Sequence, residues 1–207
     1  MANRSYLYSS SHIPNPDVEK QDRSIMGISE WAYDIPLIYK ILLSGNPQVC
    51  HSCIWGEDDP IALVGEYAEG VKQLKNFLNR IHAPVAQPLI KEAIEFLETS
   101  SNQQEYFLLE CGEIFDMQDA PLAEQNSQLL HQIKNINEEI EKTLQVLQAF
   151  SVQEPKPLGF FAKLFGRKNA DSSQQAQNLE AKKAGELEQL EALGLGAWSN
   201  VLYYQPK

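Results

Sequence analysis

The chain has 207 residues, 43% hydrophobic and 22% charged, an ordinary globular composition, with a formal net charge of -11. That length supports one sizeable core, read here as a single domain over 1–207, and the acidic balance excludes non-specific binding to nucleic acid, whose phosphates repel such a surface. Three cysteines supply no disulfide framework, no apolar run is long enough to span a bilayer, and the start lacks the apolar core of a signal peptide, so the expected location is cytoplasmic.

Asn3 to Ser9 mixes aromatic, apolar and small polar residues as a short strand does, and the polar, proline-containing run from Ser9 to Gln21 ends it. The next element begins near Trp31. Asp34 can cap a helix entered at Ile35-Pro36, with Leu37, Ile38, Ile41 and Leu42 as its apolar face and Gly45-Asn46-Pro47 as its stop. Gln48 to Trp55 reads as a strand and Glu57-Asp58-Asp59-Pro60 as a turn. After the apolar Ile61 to Val64, the residues Val71, Leu74, Leu78 and Ile81 recur at helical spacing as far as His82. Pro84 and Pro88 introduce another helix with Ile90, Ile94, Phe96 and Leu97 inward, and Tyr106 to Leu109 reads as a buried strand.

From Pro121 to Phe150 the apolar residues Leu122, Leu129, Ile133, Ile136, Ile140, Leu144 and Leu147 advance mostly in steps of three and four, with no internal Gly or Pro. That predicts one helix about 45 Å long. A second helix is expected from Ser173 to Leu193, ended by Gly194 and Gly196. Together they predict an antiparallel hairpin over 121–196 with its tip at 155–170. Trp198 to Gln205 carries β-type residues and is expected to pair near the first strand. The fold class is therefore α+β and helix-rich: a body of 1–120 plus 197–207, with a small antiparallel sheet involving the N- and C-terminal strands, and a long helical hairpin.

Charge is segregated along the chain. Lys156, Lys163, Arg167 and Lys168 lie between Pro155 and Asn169 without one acidic residue, so the rest carries 13 basic against 28 acidic groups, net -15. Within that segment Phe160, Phe161, Leu164 and Phe165 accompany Lys163, Arg167 and Lys168 in a short amphipathic pattern. It could rest on an anionic membrane surface, each basic residue contributing ~1 kcal/mol, or fold back onto the hairpin as a loop. Two acidic clusters oppose it. Glu57, Asp58 and Asp59 form one; Glu110, Glu113, Asp116 and Asp119, repeating every three residues, would form a drifting stripe on a helix. These carboxylates read as solvated surface, as a steering surface for a basic partner, or as acid-base groups of an enzyme, which requires a pocket.

Cys50-His51-Ser52-Cys53 has the C-x-x-C spacing of a redox pair or half a zinc site. The remaining candidates, Cys111, His82, His131 and His12, show no second paired spacing, so small buried thiols are the plainer reading. No phosphate-cradling glycine loop, H-E-x-x-H or G-x-S-x-G occurs. No catalytic residue, metal or other cofactor is therefore assigned. Trp31, Tyr33, Tyr39, Trp198, Tyr203 and Tyr204 read as core and strand-pair fillers.

Two resemblances add to this. The opening Asn3 to Tyr8, with Ser29-Glu30-Trp31, Tyr33 to Pro36 and Leu42 to Gly45, resembles a group of uncharacterised bacterial proteins, which implies a bacterial origin and supplies no functional residue. The segment from Gly159 to Lys168 is similar to membrane-targeting amphipathic stretches of bacterial peripheral proteins such as the signal-recognition-particle receptor, which implies attachment at the inner membrane face. The leading functional expectation is a non-enzymatic interaction protein, resembling immunity proteins that bind and neutralise a toxin. Its acidic clusters would dock a basic protein. A peripheral membrane adaptor is the alternative, and an enzyme using the carboxylates or Cys50 and Cys53 comes third.

Overall fold

The computed structural model describes residues 2–15, 24–56, 60–151 and 170–206. Among these, five strands form one antiparallel sheet in the order β2-β1-β5-β4-β3: β1 (Arg4–Ser10), β2 (Ile25–Ala32), β3 (Gln48–Cys50), β4 (Ala62–Glu66) and β5 (Tyr106–Glu110). The helices are α1 (Leu37–Leu43), α2 (Tyr67–Leu78), α3 (Gln87–Glu98), α4 (Gly112–Phe115), α5 (Leu122–Lys134), α6 (Asn137–Ser151) and α7 (Ala170–Ala192). The architecture is α+β with a helical majority, as the pattern of apolar residues indicates.

Side-chain alternation along the strands divides the interior into two cores. Leu7, Leu63, Phe107 and Leu109 face the helices and join Ile38, Ile41, Leu42, Leu74, Leu97, Leu129, Ile133 and Leu144 in the main cluster. The opposite side of the sheet carries Tyr6, Tyr8, Cys50, Ala62, Val64 and Leu108, covered by loops and by Leu202 of the C-terminal segment. A sheet with helices on one side alone leaves its other side to loops, and such positions are where binding groups concentrate.

Three elements differ from the sequence reading. β2 falls where no strand is expected, because a bulge hides its alternation: Leu7 faces Ser29 and Tyr8 faces Gly27, leaving Ile28 unpaired in the ladder yet fully buried. The helix expected from Pro121 to Phe150 is broken at Asn135. Its side-chain amide donates to the His131 carbonyl (2.9 Å), the local competition that makes asparagine a helix terminator, and the next turn restarts with Ile136 in the core. The C-terminal segment lies near β1 as expected, but it forms a single bridge to the neighbouring β2, Ser29 with Trp198, rather than a strand.

The α7 end of the expected hairpin meets α6 through a shared groove that includes Val146, Leu147, Gln189 and Ala192, while Leu144 and Leu190 are buried in the main core. The tip at 155–170, with Phe160, Phe161, Lys163, Leu164, Phe165, Arg167 and Lys168, lies outside the described residues except for Ala170, as do Glu57, Asp58 and Asp59.

Candidate functional site at the open face of the sheet

Strand register alone assembles a row of residues across the loop-covered side. Glu30 of β2 faces Tyr6 of β1, Tyr6 faces Glu110 of β5, Glu110 faces Ala62 of β4, and Ala62 faces Cys50 of β3. Cross-strand neighbours on one face stand about 5 Å apart, so this row is contiguous. Ala62, the smallest member, separates the carboxylate of Glu110 from the thiol of Cys50.

Glu110 is the chemically unusual member. It is 1% exposed, and it ends a strand whose inward positions are otherwise apolar. Its carboxylate accepts the Cys53 backbone N–H at 2.6 Å and the Ser52 hydroxyl at 2.7 Å. Ser52 Oγ in turn accepts the backbone N–H groups of Ile54 (3.0 Å) and Trp55 (2.8 Å), folding 52–55 into a turn locked over the sheet. Trp55 then lies against Gly112, where any β-carbon would collide with the indole. Burial pushes the Glu110 carboxyl up to about 7, against the lowering effect of the Cys53 and Ser52 hydrogen bonds. Cys50 and Tyr8, both buried on the same face, are raised first by burial and next by the Glu110 charge. Cys111 is raised by the same two causes, but it belongs to the helix-facing core.

A second set of polar contacts lies at the other end of the row. Glu113, on the short helix α4, accepts the Arg4 backbone N–H at 2.8 Å and the Tyr6 hydroxyl at 3.0 Å. Arg4 pairs with Glu30 (3.2 Å), and its guanidinium lies 5.0 Å from the centre of the Tyr203 ring. The Tyr203 N–H donates to Glu30 at 2.6 Å, Tyr8 donates to the Tyr204 carbonyl at 2.8 Å, and the Tyr204 ring meets Tyr6 edge-on. The C-terminal segment is thus tied across β1 and β2. It can approach so closely because residue 27 is glycine: a β-carbon there would stand 2.9 Å from the Asn200 carbonyl oxygen and from Leu202.

These facts redistribute the residues singled out in the sequence. Glu110, Glu113, Asp116 and Asp119 do not share a helical stripe: Glu110 is a buried strand residue, Glu113 sits half-buried on α4, and Asp116 and Asp119 lie exposed in the turn that follows. Only four residues, Gly112–Phe115, are helical there. Of the six aromatics read as fillers, Tyr39 is fully buried and Trp31 and Trp198 pack on the main core. Tyr33, Tyr203 and Tyr204 instead are 62%, 56% and 40% exposed. Sequence reading missed Ser52, Arg4 and Glu30. The signal for Glu110 was present in its phase, two residues after Leu108 and four after Tyr106 on a buried strand.

Among the described residues no group of three or more His, Cys, Asp or Glu side chains is placed to hold a metal ion, and no helix is long and apolar enough to cross a membrane. What fold and site define is an α+β protein whose sheet is packed by helices on one face and closed on the other by a carboxylate-clamped loop and a C-terminal strap. The chain belongs to the family described as a domain of unknown function, DUF7822, whose match spans residues 11–150. That stretch contains Cys50, Ser52, Cys53 and Glu110, whereas β1, α7 and the C-terminal strap lie outside it. No curated protein and no solved structure matched the chain.

Proposed function

We propose that this is an interaction protein that acts by binding a basic protein partner, of the kind represented by immunity proteins that neutralise a toxin. The observation that carries this reading is an exposed tyrosine surface alongside an exposed acidic turn in a strongly acidic protein. Val201, Tyr203 and Tyr204 project 78%, 56% and 40% of their surface to solvent. Glu113, three residues before the exposed Asp116 and six before the exposed Asp119, holds Arg4 and Tyr6, and the Tyr204 ring meets Tyr6 edge-on. Tyrosine and arginine dominate the residues that carry binding energy in protein interfaces. Carboxylates at the rim accelerate encounter with a positive partner, and a net charge of -11 reinforces that field.

The test compares wild type with Tyr203→Ala/Tyr204→Ala and with Asp116→Lys/Asp119→Lys in pull-downs from the native host, at rising salt, read by mass spectrometry. A basic protein held by wild type, weakened by both variants and released by salt supports the reading. Equal capture by all three proteins refutes it. The alternative, a peripheral adaptor attached through 157–168, draws its support from the charge segregation of the sequence and is tested separately below.

A further inference from the structure

Cys50 closes β3, and its register opposite Ala62 sets it on the loop-covered face of the sheet. Three residues later Cys53 packs against the same buried cluster that contains Cys50. Between them Ser52 holds the chain in a bend, its hydroxyl bonded to Glu110 and to the amides of Ile54 and Trp55. All three cysteines are thiols. Cys50 is 4% exposed and Cys53 is half-buried, so Cys53 is the more accessible residue of the two. The third thiol, Cys111, belongs to the helix-facing core and is separated from the pair by the sheet itself.

From this juxtaposition we infer that Cys50 and Cys53 form a thiol–disulfide exchange pair whose substrate is the disulfide of a small thiol, with Cys53 as the entry sulfur and Cys50 as the resolving one. Cys53 releases its proton to solvent and attacks one sulfur of the external disulfide. That S–S bond breaks, one half leaves as a thiol, and a mixed disulfide forms on Cys53. Cys50 then loses its proton and attacks the Cys53 sulfur, closing the internal disulfide and expelling the second half, which takes up a proton. Two protein thiols are oxidised by two electrons, and the external disulfide is reduced to two thiols.

Glu110 positions the pair: as the acceptor of the Cys53 N–H it holds the bend that brings both cysteines against one buried cluster. Ala62 stands between it and Cys50 in the sheet, and burial first and the Glu110 charge next keep the Cys50 thiol protonated at rest. Closure is therefore the slow step and quickens as pH rises. Among the described residues, titratable groups on this side also include Tyr6 and Tyr8 of β1, Glu30 of β2, Tyr106 of β5 and Tyr204 of the C-terminal segment; burial raises Tyr6 and Tyr8, which remain neutral.

The experiment uses the folded full-length protein and oxidised glutathione, followed by acid quench, alkylation of remaining thiols and peptide mapping, with circular dichroism confirming that the fold persists. The expected product joins Cys50 to Cys53 with loss of two hydrogens and leaves Cys111 a thiol that alkylates only after denaturation. In Cys50→Ala the reaction stops at one glutathione on Cys53, whereas in Cys53→Ala Cys50 of the folded protein takes up none. Persistence of both Cys50 and Cys53 as alkylatable thiols in the folded protein, or oxidation only after unfolding, overturns the inference.

Discussion

Replacing Glu110 by Gln should make the protein more stable at neutral and alkaline pH, an outcome opposite to the usual effect of removing a hydrogen-bonded carboxylate. The carboxyl titrates near 4.5 when solvated and near 7 in the fold, where burial is the main cause. Between those values the folded chain retains a proton that the unfolded chain has released. Stability from this group is therefore present in full below about pH 4.5 and is lost progressively as pH rises to about 7. At 1.36 kcal/mol per pH unit the difference across that window is about 3 kcal/mol. Gln keeps the shape and can accept the Cys53 N–H through its amide oxygen, but does not titrate. Urea unfolding of both proteins from pH 4 to pH 8.5 should give curves that nearly coincide at the acid end and diverge by about 3 kcal/mol above pH 7, on the order of 6–12 °C in Tm. The exposed carboxylates Glu69, Glu138 and Glu141 are lowered by Lys72, Lys142 and Arg80 hydrogen bonds and act in the opposite sense, but they are common to both proteins and cancel in the difference. Parallel curves, or a variant less stable at pH 8, would refute the argument that desolvation of this carboxylate dominates its partners.

Two further outcomes can be checked independently. Ser52→Ala removes one donor to Glu110 and the acceptor of two backbone N–H groups, and should cost about 1–3 kcal/mol in urea unfolding, with faster hydrogen exchange at the Ile54 and Trp55 amides; unchanged exchange at those amides would show that the turn does not depend on the hydroxyl. If the basic amphipathic segment binds lipid, Phe161→Asp/Phe165→Asp should abolish co-sedimentation with anionic vesicles, whereas equal pelleting of variant and parent excludes that role.

The strong apolar periodicities were legible from the residues alone. Leu37 to Leu42, Val71 to Ile81 and Ile90 to Leu97 supply one helical face each, and Tyr106 to Leu109 supplies a run too apolar for an exposed strand; these elements occur in the fold with boundaries shifted by a few residues. Where local chemistry competes with the pattern, the reading failed. Asn135 interrupts an unbroken apolar repeat by bonding its own preceding turn, and the Ile28 bulge conceals a strand that only pairing with β1 reveals.

Glu110 separates the two levels most sharply. Its spacing from Glu113, Asp116 and Asp119 suggests a common helical stripe, because a sequence repeat of three carries no record of where a strand ends and a helix begins. The ladder with Tyr6 and Ala62 turns Glu110 inward instead, and Asp116 and Asp119 fall on the exposed turn beyond α4. Composition and periodicity determined that this is an acidic, helix-rich α+β chain, since burying apolar faces admits few other solutions. Which carboxylate is solvated and which is clamped beneath a loop, which thiols share a face, and which tyrosines reach solvent were decided by strand register and by the C-terminal strap. The clamp joins Glu110 to Ser52 and Cys53 across 58 and 57 positions and the strap joins Tyr203 to Glu30 across 173, separations that no local pattern encodes.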